Sequence, residues 1–268
     1  MTTTMTSPGL AHESAVALHT RITLASARRI LRQLAHDRRS IAMIMIVPVM
    51  LLVLLYYMFD GAPTLPGAPG VFDRVSVVML GFFPFFIMFI VTSITMLRER
   101  TGGTLERLLT TPLAKLDLLL GYAVAFAVMA AIQVTVMVAV AIWIFDLSVA
   151  GSLVWVYVVA LADALLGVAL GLLVSAFART EFQAVQFVPA LIVPQALLCG
   201  LFVPRDQMAG WLQGISDFLP MTYAVQAMQE IAEHPDPTST LFFSLLIVVV
   251  VAIGCLLLGA ATLRRRTA

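Results

Sequence analysis

LLLGYAVAFAVMAAIQVTVMVAVAIWIF, Leu118 to Phe145, runs its whole length without a charged residue. A helix of about 20 mostly apolar residues crosses a hydrocarbon core roughly 30 Å thick, and this run exceeds that length, which leaves room for tilt. Five more stretches have the same character: Ile41–Phe59, Val75–Leu97, Ser152–Ala178 interrupted only by Asp163, Ala184–Val203 broken by Pro189 and Pro194, and Leu241–Leu263. The composition agrees. Of 268 residues 61% are hydrophobic and 12% charged, with a mean hydropathy of +1.00; a soluble domain carries roughly 25% charged residues. A water-soluble fold of this size could not cover so much apolar surface. Disorder, a disulfide scaffold and a free-standing soluble enzyme are excluded, and the fold class expected is an all-α integral membrane protein with six transmembrane helices.

Lys and Arg set the orientation. Arg21, Arg28, Arg29, Arg32, Arg38 and Arg39 precede the first span, and Arg98, Arg100, Arg107 and Lys115 lie between the second and third. Arg179 follows the fourth span, and Arg264, Arg265 and Arg266 end the sequence. Six spans place all of these on one side, and of 16 basic residues only Arg74 and Arg205 fall opposite. The expected arrangement is therefore a multi-pass protein of the cell membrane with both termini cytoplasmic. About 40 polar or mixed residues precede the first apolar run, too many for the n-region of a cleavable signal. A net charge of +1 gives no field for nucleic acid. Cys199 and Cys255 lie in apolar runs and read as small hydrophobes rather than a disulfide, and the histidines show no metal-ligand spacing.

The segments between the spans carry the local signals. Residues 1–19 read as a mobile tail, and a single membrane domain is expected over 20–266. Within 20–39, Arg21, Arg28, Arg32 and Arg39 line one helical stripe beside an apolar stripe of Leu24, Ala27, Leu31 and Leu34; this pattern predicts an interfacial helix on the inner leaflet. The loop 98–117 reads RERTGGTLERLLTTPLAKLD. Gly102 and Gly103 break the helix leaving the second span. Thr104 can open a short new helix whose apolar face is Leu105, Leu108 and Leu109, and Pro112 stops it. Arg98, Glu99, Arg100, Glu106 and Arg107 supply the charged face. Such an element either docks into a groove on a partner or anchors helix ends as an ordinary charged loop. The outer segment 204–237 places Trp211, Leu212, Ile215, Phe218 and Leu219 at helical spacing between Pro204 and Pro220, and predicts one or two short helices dipping into the outer leaflet.

Candidate pathway residues are few. Asp163 is the only ionisable residue deep in a span, so it should face protein or water. It marks a polar point on a substrate route, or a helix–helix contact that fixes its span. Phe82, Phe83 and Phe86 with Met79 give the second span an adaptable apolar lining that suits either a pathway or packing. Gly167 and Gly171 form a small-xxx-small contact.

Leu97–Leu120, with its Arg-Glu-Arg, Gly-Gly-Thr-Leu-Glu and Thr-Pro elements, resembles the first cytoplasmic loop of ABC-2 type permeases. The stretch Gly200-Leu-Phe-Val-Pro204, then Trp211-Leu, Pro220-Met-Thr-Tyr223 and Gln229, resembles that family's C-terminal signature. The drug-exporter branch, similar to daunorubicin-resistance permeases, is nearest in pattern. The resemblance implies a membrane subunit that pairs with a second permease, taken as a homodimer, and with two copies of a cytoplasmic ABC ATPase. It implies that 102–112 is a cytoplasmic coupling helix, with Arg98, Glu99, Arg100, Gly102, Gly103, Thr104, Leu105, Glu106, Leu108, Leu109 and Pro112 meeting the ATPase. It also implies that Pro204, Trp211, Pro220, Tyr223 and Gln229 belong to an outer re-entrant gate. The sequence holds no G-x-x-x-x-G-K-[ST] phosphate loop, so no catalytic residue and no bound cofactor is expected here; ATP and Mg would sit on the partner. The expected function is outward movement of amphipathic or lipophilic compounds. Export of a lipid or lipid-linked glycan, or a non-transporting assembly or sensor role, remain open alternatives at this stage.

Overall fold

The computed structural model describes residues 15–59, 70–102 and 115–262, all helices and connecting turns. Helices α1 (Ala15–His36) and α2 (Arg38–Phe59) are separated only by Asp37. Then come α3 (Val71–Thr101), α4 (Lys115–Trp143) and α5 (Leu153–Val174). Helix α6 (Glu181–Phe187) passes through a π-helical turn (Val188–Ile192) into α7 (Val193–Leu198). A 3-10 turn (Arg205–Gln207), α8 (Gly210–Ser216), α9 (Pro220–Glu233) and α10 (Ser239–Thr262) complete the chain. Six segments are long and apolar enough to cross a membrane: Ile41–Phe59, Val71–Thr101, Leu116–Trp143, Leu153–Val174, Glu181–Leu198 and Ser239–Thr262. Residues 103–114, which hold Gly103 to Pro112 of the expected coupling helix, lie outside the described residues, as do 1–14.

The spans agree with the sequence expectation to within a few residues except in two places. The fourth helix stops at Val174, short of Ala178, where Ser175 Oγ turns back to donate to Leu172 O at 2.6 Å. The fifth span was expected to reach Val203 but ends at Leu198, and Gly200 follows with φ of +93°. Pro189 and Pro194 remove two backbone donors from this segment; the ladder widens into a π-turn around the first proline.

The bundle is built on α3 and α5, whose contact is the most extensive of any pair. A Cβ on Gly167 would lie 2.3 Å from Phe85 O, and one on Gly171 would lie 2.7 Å from Phe89 O. Only hydrogen at both positions lets the backbones approach this closely, and in lipid such packing is what holds helices together. α4 and α10 pack against α5, and α9 fits between α3, α5 and α10. The outer faces of α2 and of α6–α7 expose Met43, Ile46, Met50 and Leu54, and Phe182, Val185, Leu191 and Leu197.

α1 lies across one end of the bundle against α4. It starts at Ala15, so residues 15–19, expected in the mobile tail, are helical; Ala and Leu there are good helix formers. Its buried residues are Ala27, Ile30 and Leu34, whereas Leu24, counted in the apolar stripe, is 56% exposed. Gly121 on α4 sets this register: a Cβ there would come within 2.6 Å of Ser26 Cβ, so α1 turns its Ser26–Ala27 edge, not Leu24, toward the protein.

Replacing Gly167 by Ala is expected to destabilise the protein by about 1–3 kcal/mol through overpacking. Gly254→Ala, where a Cβ meets nothing within 4 Å, should be neutral or slightly stabilising. Thermal unfolding of the two variants in detergent compares them directly.

Candidate functional site

Two polar clusters sit at opposite ends of the bundle, and α3 runs from one to the other. At the α1 end, Arg98 Nε and Nη2 donate to the two carboxylate oxygens of Glu181 at 2.7 and 3.0 Å, tying the end of α3 to the start of α6. Glu99 turns the other way and is only 6% exposed. Its Oε1 lies 3.7 Å from Arg29 Nη1 on α1, and Arg29 Nη2 donates to the Tyr122 hydroxyl on α4 at 3.2 Å. His19 Nδ1 meets Asp117 Oδ2 at 2.7 Å, a second tie between α1 and α4. Arg98, Glu99 and Tyr122 also line an open cavity of about 180 Å³ under α1, together with Gln33, Asp37 and Thr95. Arg100 Nε and Nη2 are buried without a partner among the described residues. Gly102 caps α3, its N–H donating to Arg98 O at 2.8 Å.

Arg98, Glu99 and Arg100 were expected to present their charges together on one face. The structure divides them: Arg98 is exposed and bridged to Glu181, Glu99 is buried under α1, and Arg100 is partly buried. Consecutive residues on a helix point about 100° apart, so a single charged face was never available to all three. Arg29, Tyr122, Glu181 and the His19–Asp117 pair were missed from sequence. Arg29 lies one position off the basic stripe, and that offset was the available signal.

At the opposite end the segment 199–238 folds back on the bundle. Ser216 Oγ donates to Leu198 O at 2.8 Å, and Thr222 Oγ1 donates to Ser216 O at 2.8 Å. Tyr223 donates to Asp217 O at 2.8 Å, and Pro220 supplies the first residue of α9, where its missing N–H costs nothing. Trp211 and Phe218 are exposed, which suits side chains at a membrane interface. Arg205 pairs with Asp217, Arg74 faces Glu233 at 3.8 Å, and Gly151 N donates to Ile231 O at 2.9 Å, anchoring α9 to the start of α5. Pro204 and Gln229 line the same cavity as Arg74 and Arg205.

The candidate pathway residues separate into two groups. Asp163 is fully buried on α5, where Gly81 of α3 leaves it room: a Cβ on Gly81 would lie 3.4 Å from Asp163 Oδ2 and 3.1 Å from Met228 Cε of α9. Neither carboxylate oxygen has a partner among the described residues. Phe82 and Phe86 stack with centroids 6.0 Å apart on a neighbouring face of α3, and Phe83 meets Phe82 edge-on. These three are half-buried, while Met79 is buried. Asp163 and the phenylalanine stack therefore do not share one lining.

The family model described as "ABC-2 type transporter" matches residues 21–232, a span that holds most of both polar clusters, with His19 and Glu233 just outside its two ends. The chain belongs to the ABC-2 type transporter family. Among curated relatives of this family member, the probable multidrug ABC transporter permease YbhR of Escherichia coli is 34% identical over 142 residues, which cover 53% of this chain and 39% of YbhR. The linearmycin resistance permease protein LnrN of Bacillus subtilis is 28% identical over 137 residues, 51% of this chain and 35% of LnrN. The probable doxorubicin resistance ABC transporter permease protein DrrC of Mycobacterium tuberculosis is 26% identical over 228 residues, 82% of this chain and 80% of DrrC. The match to YbhR thus spans about two fifths of that protein. In this family member α10 lies beyond the matched stretch, α3 and α4 fall within it, and α1 and the re-entrant segment fall within it except for residues 15–20 and those after 232.

Arg29→Ala, which leaves the buried Glu99 without its arginine, is expected to cost about 2–3 kcal/mol, and adding Glu99→Ala should recover part of it. Arg98→Ala, which breaks an exposed pair, should cost about 1 kcal/mol or less. Thermal melts of the parent, Arg29→Ala, Glu99→Ala and the double variant give the cycle, with Arg98→Ala measured beside them. Asp163→Asn keeps the side chain's shape while removing its capacity for charge. It should express and melt like the parent, and a lower melting point would mean that the acid makes a contact the amide cannot.

Proposed function

We propose that this ABC-2 family protein is the membrane permease of an exporter that moves amphipathic or lipophilic compounds outward, driven by ATP hydrolysed on a separate cytoplasmic ATPase. The observation that carries this reading is the polar lock at the α1 end. Residues 103–114 are flanked by α3 and α4, and those helices are tied to α1 through Glu99–Arg29–Tyr122 and Asp117–His19. A push delivered to that loop is then passed to α1, α3 and α4 together, and through Arg98–Glu181 to α6. The basic residues gathered at this end support placing it in the cytoplasm. The names of the relatives, which speak of multidrug, doxorubicin and linearmycin resistance, support a lipophilic cargo.

In this reading two ATPase subunits bind below a pair of permeases. The exposed apolar faces of α2 and α6–α7 suit contact with the second copy, in keeping with a homodimer. The ATPase, with its ATP and Mg, supplies the energy, and the state that binds cargo better shifts with nucleotide. Phe82 and Phe86 offer an apolar, deformable surface to such a cargo, while Asp163 lies behind α3 and acts on the packing of α3, α5 and α9.

The test is ATP-dependent uptake of a fluorescent lipophilic cation into inverted vesicles carrying the permease and its ATPase. Glu106→Arg should lower uptake by about tenfold or more, because it reverses a charge on the segment that meets the ATPase, while membrane insertion is unchanged. Uptake that proceeds without the ATPase would overturn the reading.

A further inference from the structure

Among the described residues, only Arg74 and Arg205 of the lysines and arginines lie at the end opposite α1. Basic residues are disfavoured on the outer side of a membrane protein, so two that persist there and meet in space call for a reason. They meet in one cavity of about 390 Å³, enclosed by the first turn of α3, the loop after α7, and one face of α9. Gln226, Gln229 and Glu233 lie at i, i+3 and i+7 on α9 and form its third wall, with Asp206 at the rim.

The lining balances two guanidinium groups against two carboxylates, with two amides between. Asp217, which pairs with Arg205, adds a third carboxylate beside the lining, so a simple anion gains no net pull, and the two signs of charge held side by side are complementary to a group that carries both. Its donors are not used up. Arg205 gives one Nη2 contact to Asp217, but its Nε is buried with no acceptor among the described residues. An arginine head carries five N–H donors in a planar fork matched to phosphate. Arg74 and Glu233 stand 3.8 Å apart, close enough to attract and too far for a direct hydrogen bond, so each can turn to a ligand. The Arg205 stem passes close over Gly200: its Cγ lies 3.2 Å from where a Cβ would be, at a backbone conformation (φ +93°) that favours glycine. Phe202, Trp211 and Phe218 of the same folded-back segment are exposed, as aromatic side chains at the depth of lipid headgroups are.

We propose that this cavity binds a zwitterionic phosphate–ammonium headgroup of the outer leaflet. The phosphate lies against Arg205 and Arg74, the ammonium against Glu233 and Asp206, and the amides of Gln226 and Gln229 bridge the two. The site requires the membrane fold and the orientation given above; it does not require ATP-driven export, and its test uses the permease without any ATPase.

The full-length permease in detergent is titrated by calorimetry with dihexanoyl-phosphatidylethanolamine, dihexanoyl-phosphatidylglycerol and free phosphoethanolamine. The ethanolamine lipid should bind saturably, and the glycerol lipid, which lacks the ammonium, about tenfold more weakly. Arg205→Gln, Arg74→Gln and Glu233→Gln should each weaken ethanolamine-lipid binding by about fivefold or more. Arg74 and Glu233 are well exposed, so those two variants guard against a fold defect in Arg205→Gln, and Asp236→Asn outside the cavity pairing should bind as the parent does. Competition by free phosphoethanolamine supports the headgroup chemistry and measures the share of affinity that the acyl chains add. Equal binding of the two lipids, or binding indifferent to both Arg74→Gln and Glu233→Gln, would overturn the proposal.

Discussion

Everything in this protein depends on how closely α3 and α5 approach each other. Inside a bilayer apolar side chains gain nothing by leaving lipid for protein, so helices associate through close backbone packing and a few polar contacts. Gly167 and Gly171 provide that packing by allowing the Phe85 and Phe89 carbonyls into the space of absent side chains. The same stripe of α3 continues to Gly81, where the missing side chain leaves room for Asp163 and Met228. One seam thus fixes the central helix pair and the seat of α9.

α3 is also the only described helix that takes part in both polar clusters. Arg74 stands in its first turn and Arg98 and Glu99 in its last. A helix of this length spans the hydrocarbon core with residues to spare at each end. Held by α5 in the middle, it connects the polar cluster at the α1 end with the one at the α9 end. The helices around it differ in this respect: α6–α7 is broken by two prolines and a π-turn, and α2 exposes most of its surface. Rigidity is therefore concentrated in the α3–α5 pair, and the freedom to rearrange lies at the periphery.

The polar ends are built on different principles. At the α1 end a buried acid, an arginine and a tyrosine come from three helices, so the cluster measures their relative position and breaks if one moves. At the α9 end, local hydrogen bonds among Leu198, Ser216, Asp217, Thr222 and Tyr223 fold the segment on itself. The arginines and α9 then leave an open polar cavity. One end is suited to transmitting a displacement and the other to receiving a ligand.

Sequence alone determined the class, the number of spans and the family, because those follow from uncharged runs about 20 residues long, from the asymmetry of Lys and Arg, and from short motifs that are contiguous in the chain. It also picked out Gly167, Gly171 and Asp163, since a small-xxx-small pair and an intramembrane acid are local anomalies. It could not say that Glu99 turns inward to Arg29 while Arg98 reaches Glu181, that Leu24 faces away from the protein, or that the fifth span stops at Leu198. Nor could it see that Arg74 and Arg205, exceptions to one rule in distant loops, share a cavity. Those outcomes depend on which face of each helix meets which neighbour. That is settled by the fit of backbones at a few glycines and by pairing of charges far apart in the chain, and both exist only once the helices are packed.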